Sequence, residues 1–139
     1  MPSDRSIRVL YVAGPFRAAT AYEREQNIRR AEAVALDIMR LGYAVICPHA
    51  LGRFTFGAVP EEQVMAGLIE LMRRCDAVVL VEGWTRSPGT LREICEAVGV
   101  GMPVFDDAVM FTLNAPIPAS DLLEAAAALA AETRERTER

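Results

Sequence analysis

Residues 76–98 read Asp-Ala-Val-Val-Leu-Val-Glu-Gly-Trp-Thr-Arg-Ser-Pro-Gly-Thr-Leu-Arg-Glu-Ile-Cys-Glu-Ala-Val. Ala77 to Val81 is a short, continuous apolar run rich in β-branched residues, the pattern of a strand covered on both faces. It ends near Glu82-Gly83. Ser87-Pro88-Gly89 then has the composition of a helix start, Ser at the N-cap and Pro at the first helical position, and the helix is expected to run to about Val98. A fully buried strand feeding a helix is half of a parallel crossover unit.

The same alternation extends in both directions. Upstream, Ile7 to Ala13 is a second buried-strand pattern, stopped by Gly14-Pro15. A long amphipathic helix is expected next, with Ile28, Ala31, Ala35, Ile38 and Met39 on its core face and Gly42 closing it. Tyr43 to Cys47 reads as a short strand ended by Pro48. His49 to Pro60, with glycines and aromatics in no clear period, reads as a loop. Glu61 to Arg74 returns to helical spacing through Val64, Leu68, Leu71 and Met72. Downstream, a short strand is expected around Val104-Phe105, Asp106 to Pro118 is ambiguous, and Ser120 is placed to cap a last, alanine-rich helix. Its charged end, Glu132 to Arg139, reads as frayed.

Alternating strands and helices imply right-handed crossovers. The expected architecture is one domain over residues 1–139, a three-layer α/β/α sandwich on a mostly parallel sheet, flavodoxin-like or Rossmann-like, with residues 120–139 as C-terminal helix and charged tail. At 139 residues, 52% hydrophobic and 24% charged, the chain can form one such core. A formal charge of -4 gives no basic footprint for a nucleic-acid polymer, which points to a small ligand. No apolar run approaches the roughly 18 residues of a membrane span, and Met-Pro-Ser-Asp-Arg opens no secretory signal, so a cytoplasmic protein with no membrane partner is expected. Cys47, Cys75 and Cys95 lack the paired spacing of a zinc site and read as reduced, buried thiols; no metal or other cofactor is expected.

Ligands of such sheets sit beyond the carboxyl ends of the strands, at the switch point. Three segments meet there: Gly14 to Arg17, Pro48 to Phe56 and Glu82 to Glu93. Ser87, Gly89 and Thr90 form either a phosphate nest at a helix N-terminus or an ordinary cap. Glu93, in the first turn or so of that helix, is either placed to act on a ligand in the same crevice or simply complements the helix dipole. In the first loop, Tyr11 is a phenol late in its strand, Gly14 lets backbone approach a ligand, and Arg17 can fork onto a phosphate; a half-buried Tyr and a solvated Arg are the plain alternatives. His49, the only histidine, reads as a proton donor, a sugar contact or a satisfied loop residue. Phe54, Phe56 and Trp84 either stack on a base or cover the core.

Taken in order, Tyr11-x-x-Gly14-Pro15-Phe16-Arg17, Asn27 with Ala31, Cys47-Pro48-His49, Asp76 to Val81, Gly83-Trp84 and Ser87-x-Gly89-x-x-x-Glu93 resemble the nucleoside 2-deoxyribosyltransferase superfamily, over about residues 7 to 105. The likeness is to its small bacterial and phage branch, similar to 2'-deoxynucleoside 5'-monophosphate N-glycosidases. It implies Glu93 as the carboxylate that attacks the anomeric carbon, Tyr11 as the residue that positions it, and Arg17, Ser87 and Gly89 around a 5'-phosphate. Gly14, Pro15, Phe16, His49, Trp84 and Thr90 are expected to complete the substrate site. Two departures stand out. The hydrolases carry an Asp eight residues before the Asp of the third strand, where this chain has Leu68, with Glu70 and Glu62 nearby. The transferases complete the site with a neighbour's C-terminal residues, whereas this chain ends in a charged helix, which favours hydrolysis.

The resemblance implies hydrolysis of a (deoxy)nucleoside 5'-monophosphate by a homodimer. Its alternatives are a non-catalytic nucleotide-binding sensor and a deoxyribosyltransferase that exchanges bases. Gly89-Thr-Leu-Arg-Glu93 also resembles a motif of lysine-decarboxylase-like phosphoribohydrolases, which predicts the same bond cleavage.

Overall fold

The computed structural model describes residues 7–106 and 115–138. Strands β1 (Val9–Ala13), β2 (Ala44–Ile46), β3 (Ala77–Leu80) and β4 (Val104–Phe105) form one sheet in the order β2-β1-β3-β4. All three pairings are parallel, with Leu10 opposite both Val45 and Ala77, and Val78 opposite Val104. Parallel neighbours need crossovers, supplied by helices α1 (Ala21–Arg40), α2 (Pro48–Thr55), α3 (Glu61–Arg73) and α4 (Pro88–Gly99); α5 (Ala119–Glu138) follows. The chain leaves β1 toward β2, then returns past β1 to β3, so the switch point lies between β1 and β3.

Pleating sends alternate side chains of β1 to opposite layers. Leu10 and Val12 pack with Val79, Val81 and Phe105 against Ala31, Val34, Ala35 and Ile38 of α1. Tyr11 and Ala13 pack with Val78 and Leu80 against Met72 of α3, Leu91, Ile94 and Ala97 of α4, and Leu122 of α5. Each fully buried aliphatic side chain in these layers contributes ~1.5–3 kcal/mol. Asp76 pins the entrance to the sheet, its Oδ2 accepting from the backbone N–H groups of Arg8 and Val9 at 2.9 and 2.8 Å.

Several expectations are corrected. The segment from His49 begins not as a loop but as α2: Pro48 starts it, and Arg53 locks it to α1 by donating to Glu25 and Glu32. Those tertiary contacts hold a helix far shorter than could stand alone. On α1, Met39 is 51% exposed, and Asn27 and Val34 take buried positions instead. On α3 the buried residues are Ile69 and Met72, while Val64 and Leu71 face solvent. α5 starts one residue before Ser120, with the Pro118 carbonyl accepting from Asp121 and Leu122, and it continues through its charged end to Glu138. Of the thiols only Cys75 is buried; Cys95 is exposed because it falls on the outer face of α4. Residues 107–114 of the ambiguous stretch lie outside the described residues.

Candidate functional site

Gly14, directly after β1, has no room for a larger residue. A Cβ there would lie 2.5 Å from Val81 Cβ, so the missing side chain allows the close approach of the two chain segments that follow β1 and β3. Beyond it, His49 Nε2 lies 3.0 Å from both the Gly14 and Pro15 carbonyls, which makes it the protonated nitrogen. His49 Nδ1 is buried without a partner, and burial lowers the ring's pKa. His49 therefore acts as a neutral tie between α2 and the first loop. Phe16 packs its ring edge on His49, also contacts Phe56, and lies against Gly52. Arg24 stacks over Phe56 at 4.0 Å. Phe54 covers no core, being 88% exposed, while Trp84 packs partly into the layer containing Tyr11.

Glu93 occupies the sixth position of α4, the second turn and not the first. Its side chain points into the sheet-facing layer, 6% exposed, and Tyr11 donates its hydroxyl to Glu93 Oε2. Desolvation pushes the Glu93 carboxyl up to about 7, against the Tyr11 hydrogen bond, which lowers it. Burial and the Glu93 charge both raise the Tyr11 pKa, so the phenol stays protonated as a fixed donor. The arrangement is a sheltered carboxylate held through Oε2 by the Tyr11 hydroxyl.

The helix start above it is capped from within. Ser87 Oγ accepts from Thr90 N–H at 3.3 Å and from Thr90 Oγ1 at 2.8 Å. Gly89 lies against Met65 of α3, where a Cβ would come within 3.3 Å of Met65 Cε. Arg17 is engaged as well, 2.7 Å from Glu61 at the start of α3. Glu62 pairs with Arg92 and Glu70 with Arg74, both at the surface. Leu68, where the hydrolases have Asp, is half-buried.

An open crevice of about 390 Å³ lies at the switch point, lined by Pro15, Arg30, Glu82, Gly83 and Arg86. Glu93 does not line it. Tyr11 and Glu93 belong to the layer of α3, α4 and α5, whereas Arg30 comes from α1 on the other face of the sheet. Glu82 and Arg86 fall within the segment the sequence singled out, without a role of their own, whereas Arg30, inside the amphipathic helix α1, looks in the sequence like an ordinary solvated residue. Among the described residues, no three His, Cys, Asp or Glu side chains converge as a metal site, and no helix is long and apolar enough to cross a membrane.

The fold and site together define an all-parallel α/β protein with an open crevice at its switch point and a buried carboxylate-phenol pair under the adjoining helix. Within that class, the chain belongs to the family described as Domain of unknown function (DUF4406), whose model matches residues 8–106. The match spans β1 to β4, and so includes Tyr11, Glu93 and the crevice, and stops before α5. Comparison with curated proteins gives no match.

Proposed function

We propose that this protein hydrolyses the N-glycosidic bond of a (deoxy)nucleoside 5'-monophosphate, with Glu93 as nucleophile. The observation that carries the reading is the buried Glu93 carboxylate held through one oxygen by Tyr11. A carboxylate stripped of water and fixed at Oε2 presents Oε1 as a nucleophile, and shelter from solvent suits an oxocarbenium-like centre. In the first step the C1'–N bond breaks, its electron pair leaves with the base, and a C1'–Oε1 bond forms. Water then cleaves this ester, its oxygen bonding to C1' and its proton passing to the departed base, which returns the carboxylate and releases the sugar phosphate. The attacking form is ionised, and a carboxyl shifted to about 7 is half ionised near neutral pH. No cofactor is needed for either step. The proposed setting is cytoplasmic, as a homodimer.

Base release is measured by liquid chromatography from a panel of ribo- and deoxyribonucleoside 5'-monophosphates, with wild type and Glu93→Gln in parallel. Wild-type release that falls by ~1000-fold or more in the variant is the expected result. Equal release from both proteins rules Glu93 out as the nucleophile. Exchange of an added base into the product would reassign the reaction as deoxyribosyl transfer.

One observation favours a second reading. Glu93 is almost wholly covered and does not line the open crevice, as expected of a structural acid in a nucleotide-binding sensor. Saturable nucleotide binding without base release from any member of the panel decides for the sensor.

A further inference from the structure

The crevice between β1 and β3 holds two guanidinium groups that Glu93 chemistry does not use. Arg30 donates through Nη2 to Asn27 Oδ1, and the buried Asn27 donates through Nδ2 to the carbonyls of Phe16 and Arg17 at 3.1 and 3.4 Å. The guanidinium is thus oriented by an amide anchored in the first loop. Among the described residues, no carboxylate within ion-pair distance neutralises it. Arg86, from the 3-10 turn Trp84–Arg86, lines the same crevice and gives Nη1 to Glu132 at 2.8 Å, leaving the rest of its fork open. Gly83, at φ +92, adjoins Pro15 so closely that a Cβ there would lie 3.2 Å from the Pro15 ring. Helix α1 and the turn after β3 therefore bring both guanidiniums to one opening.

We propose that this crevice is a phosphomonoester site, with Arg30 as its principal contact and Arg86 as its second. A guanidinium fork matches phosphate oxygens two at a time, and two forks facing one opening favour a dianion over a single carboxylate. Glu82, the one carboxylate of the lining, accepts only from a donor, so the matching ligand carries hydroxyl groups beside its phosphate. That describes a sugar phosphate or the sugar-phosphate half of a nucleotide. Arg17 and Ser87 do not line this crevice; Arg17 pairs with Glu61 and Ser87 Oγ accepts from Thr90. The site lies at the carboxyl ends of β1 and β3, between Arg30 of α1 and Arg86 of the turn after β3, and requires no turnover at Glu93.

Binding of inorganic phosphate and of ribose 5-phosphate to the full chain is followed by two-dimensional amide NMR. The proteins are wild type, Arg30→Met, Arg86→Met and, as a control on the same helix, Arg40→Met. Saturable shifts at Pro15-adjacent and Gly83 amides are expected in wild type. Affinity should fall about tenfold in Arg30→Met and by a smaller factor in Arg86→Met, and stay unchanged in Arg40→Met. Tighter binding of ribose 5-phosphate than of inorganic phosphate identifies a phosphorylated sugar; equal binding identifies the phosphate alone. No saturable binding of either probe to wild type overturns the site, as does binding that both crevice variants retain in full while their spectra remain folded. Because neither probe carries a base, failure here and failure of glycosidic cleavage are read separately.

Discussion

Glu93 and Tyr11 are coupled through one hydrogen bond across two layers of the fold. The Tyr11 hydroxyl is the contribution that lowers the Glu93 pKa, so removing it leaves desolvation unopposed. Tyr11→Phe is expected to move the rising limb of the pH–rate profile for base release upward from about 7, with a lower rate at neutral pH. A profile that keeps its midpoint while only the rate falls would assign Tyr11 to packing alone. Burial also makes Glu93 a stability determinant. Its folded-state pKa of about 7 exceeds the ordinary 4.5, so between those values the folded chain binds more protons than the unfolded one. The associated stability is complete below about pH 4.5 and is lost as pH rises through 7. Glu93→Gln should therefore gain on wild type across that window by on the order of 3 kcal/mol, given ~1.36 kcal/mol per pKa unit. Urea unfolding at pH 4.5 and pH 8 measures it, and a difference independent of pH would refute the assignment.

At the scale of elements, the crossing of β1 and β3 sets where the crevice opens, and Gly14 is its tightest point. Gly14→Ala forces Val81 or the strand end to shift, with an expected loss of ~1–3 kcal/mol in urea unfolding. Gly67, inside α3 with open space around it, serves as the counterpart. Gly67→Ala should stabilise by ~0.5–1 kcal/mol, because it adds helix propensity without a clash. If both substitutions act alike, the close approach at Gly14 is not what constrains it. α2 is defined by the same kind of long-range contact. Its register comes from Arg53 between Glu25 and Glu32 and from His49 on the first-loop carbonyls. Both carboxylates are held below their ordinary pKa by Arg53, so the clamp is an ionic one at neutral pH.

At the scale of the whole molecule, α2 and the turn after it present Leu51, Phe54, Phe56 and Val59 to solvent. An exposed apolar group of this kind suits the proposed homodimer. Sedimentation equilibrium is expected to give twice the 15.2 kDa chain mass for wild type and a shift toward the chain mass for Phe54→Glu. A monomeric wild type removes the dimer from the proposal. The arrangement also separates two kinds of chemistry, a sheltered carboxylate among α3, α4 and α5 and an open cationic crevice at the strand ends that Glu93 does not line.

The sequence alone determined the order of strands and helices and the parallel sheet they imply. Apolar runs, helical periodicity, Pro48, Ser87 and Gly42 act within a few residues of themselves, so those elements were legible without the fold. It also singled out Tyr11 and Glu93, which the structure joins across 82 residues. Only tertiary structure decided that Glu93 is buried, that Ser87 and Arg17 are engaged by Thr90 and Glu61, and that α2 is a helix. It alone brought Arg30 and Arg86 to one crevice. The reason is physical: these outcomes depend on which surfaces meet and what water they exclude, and desolvation and long-range pairing leave no periodic trace in a linear chain.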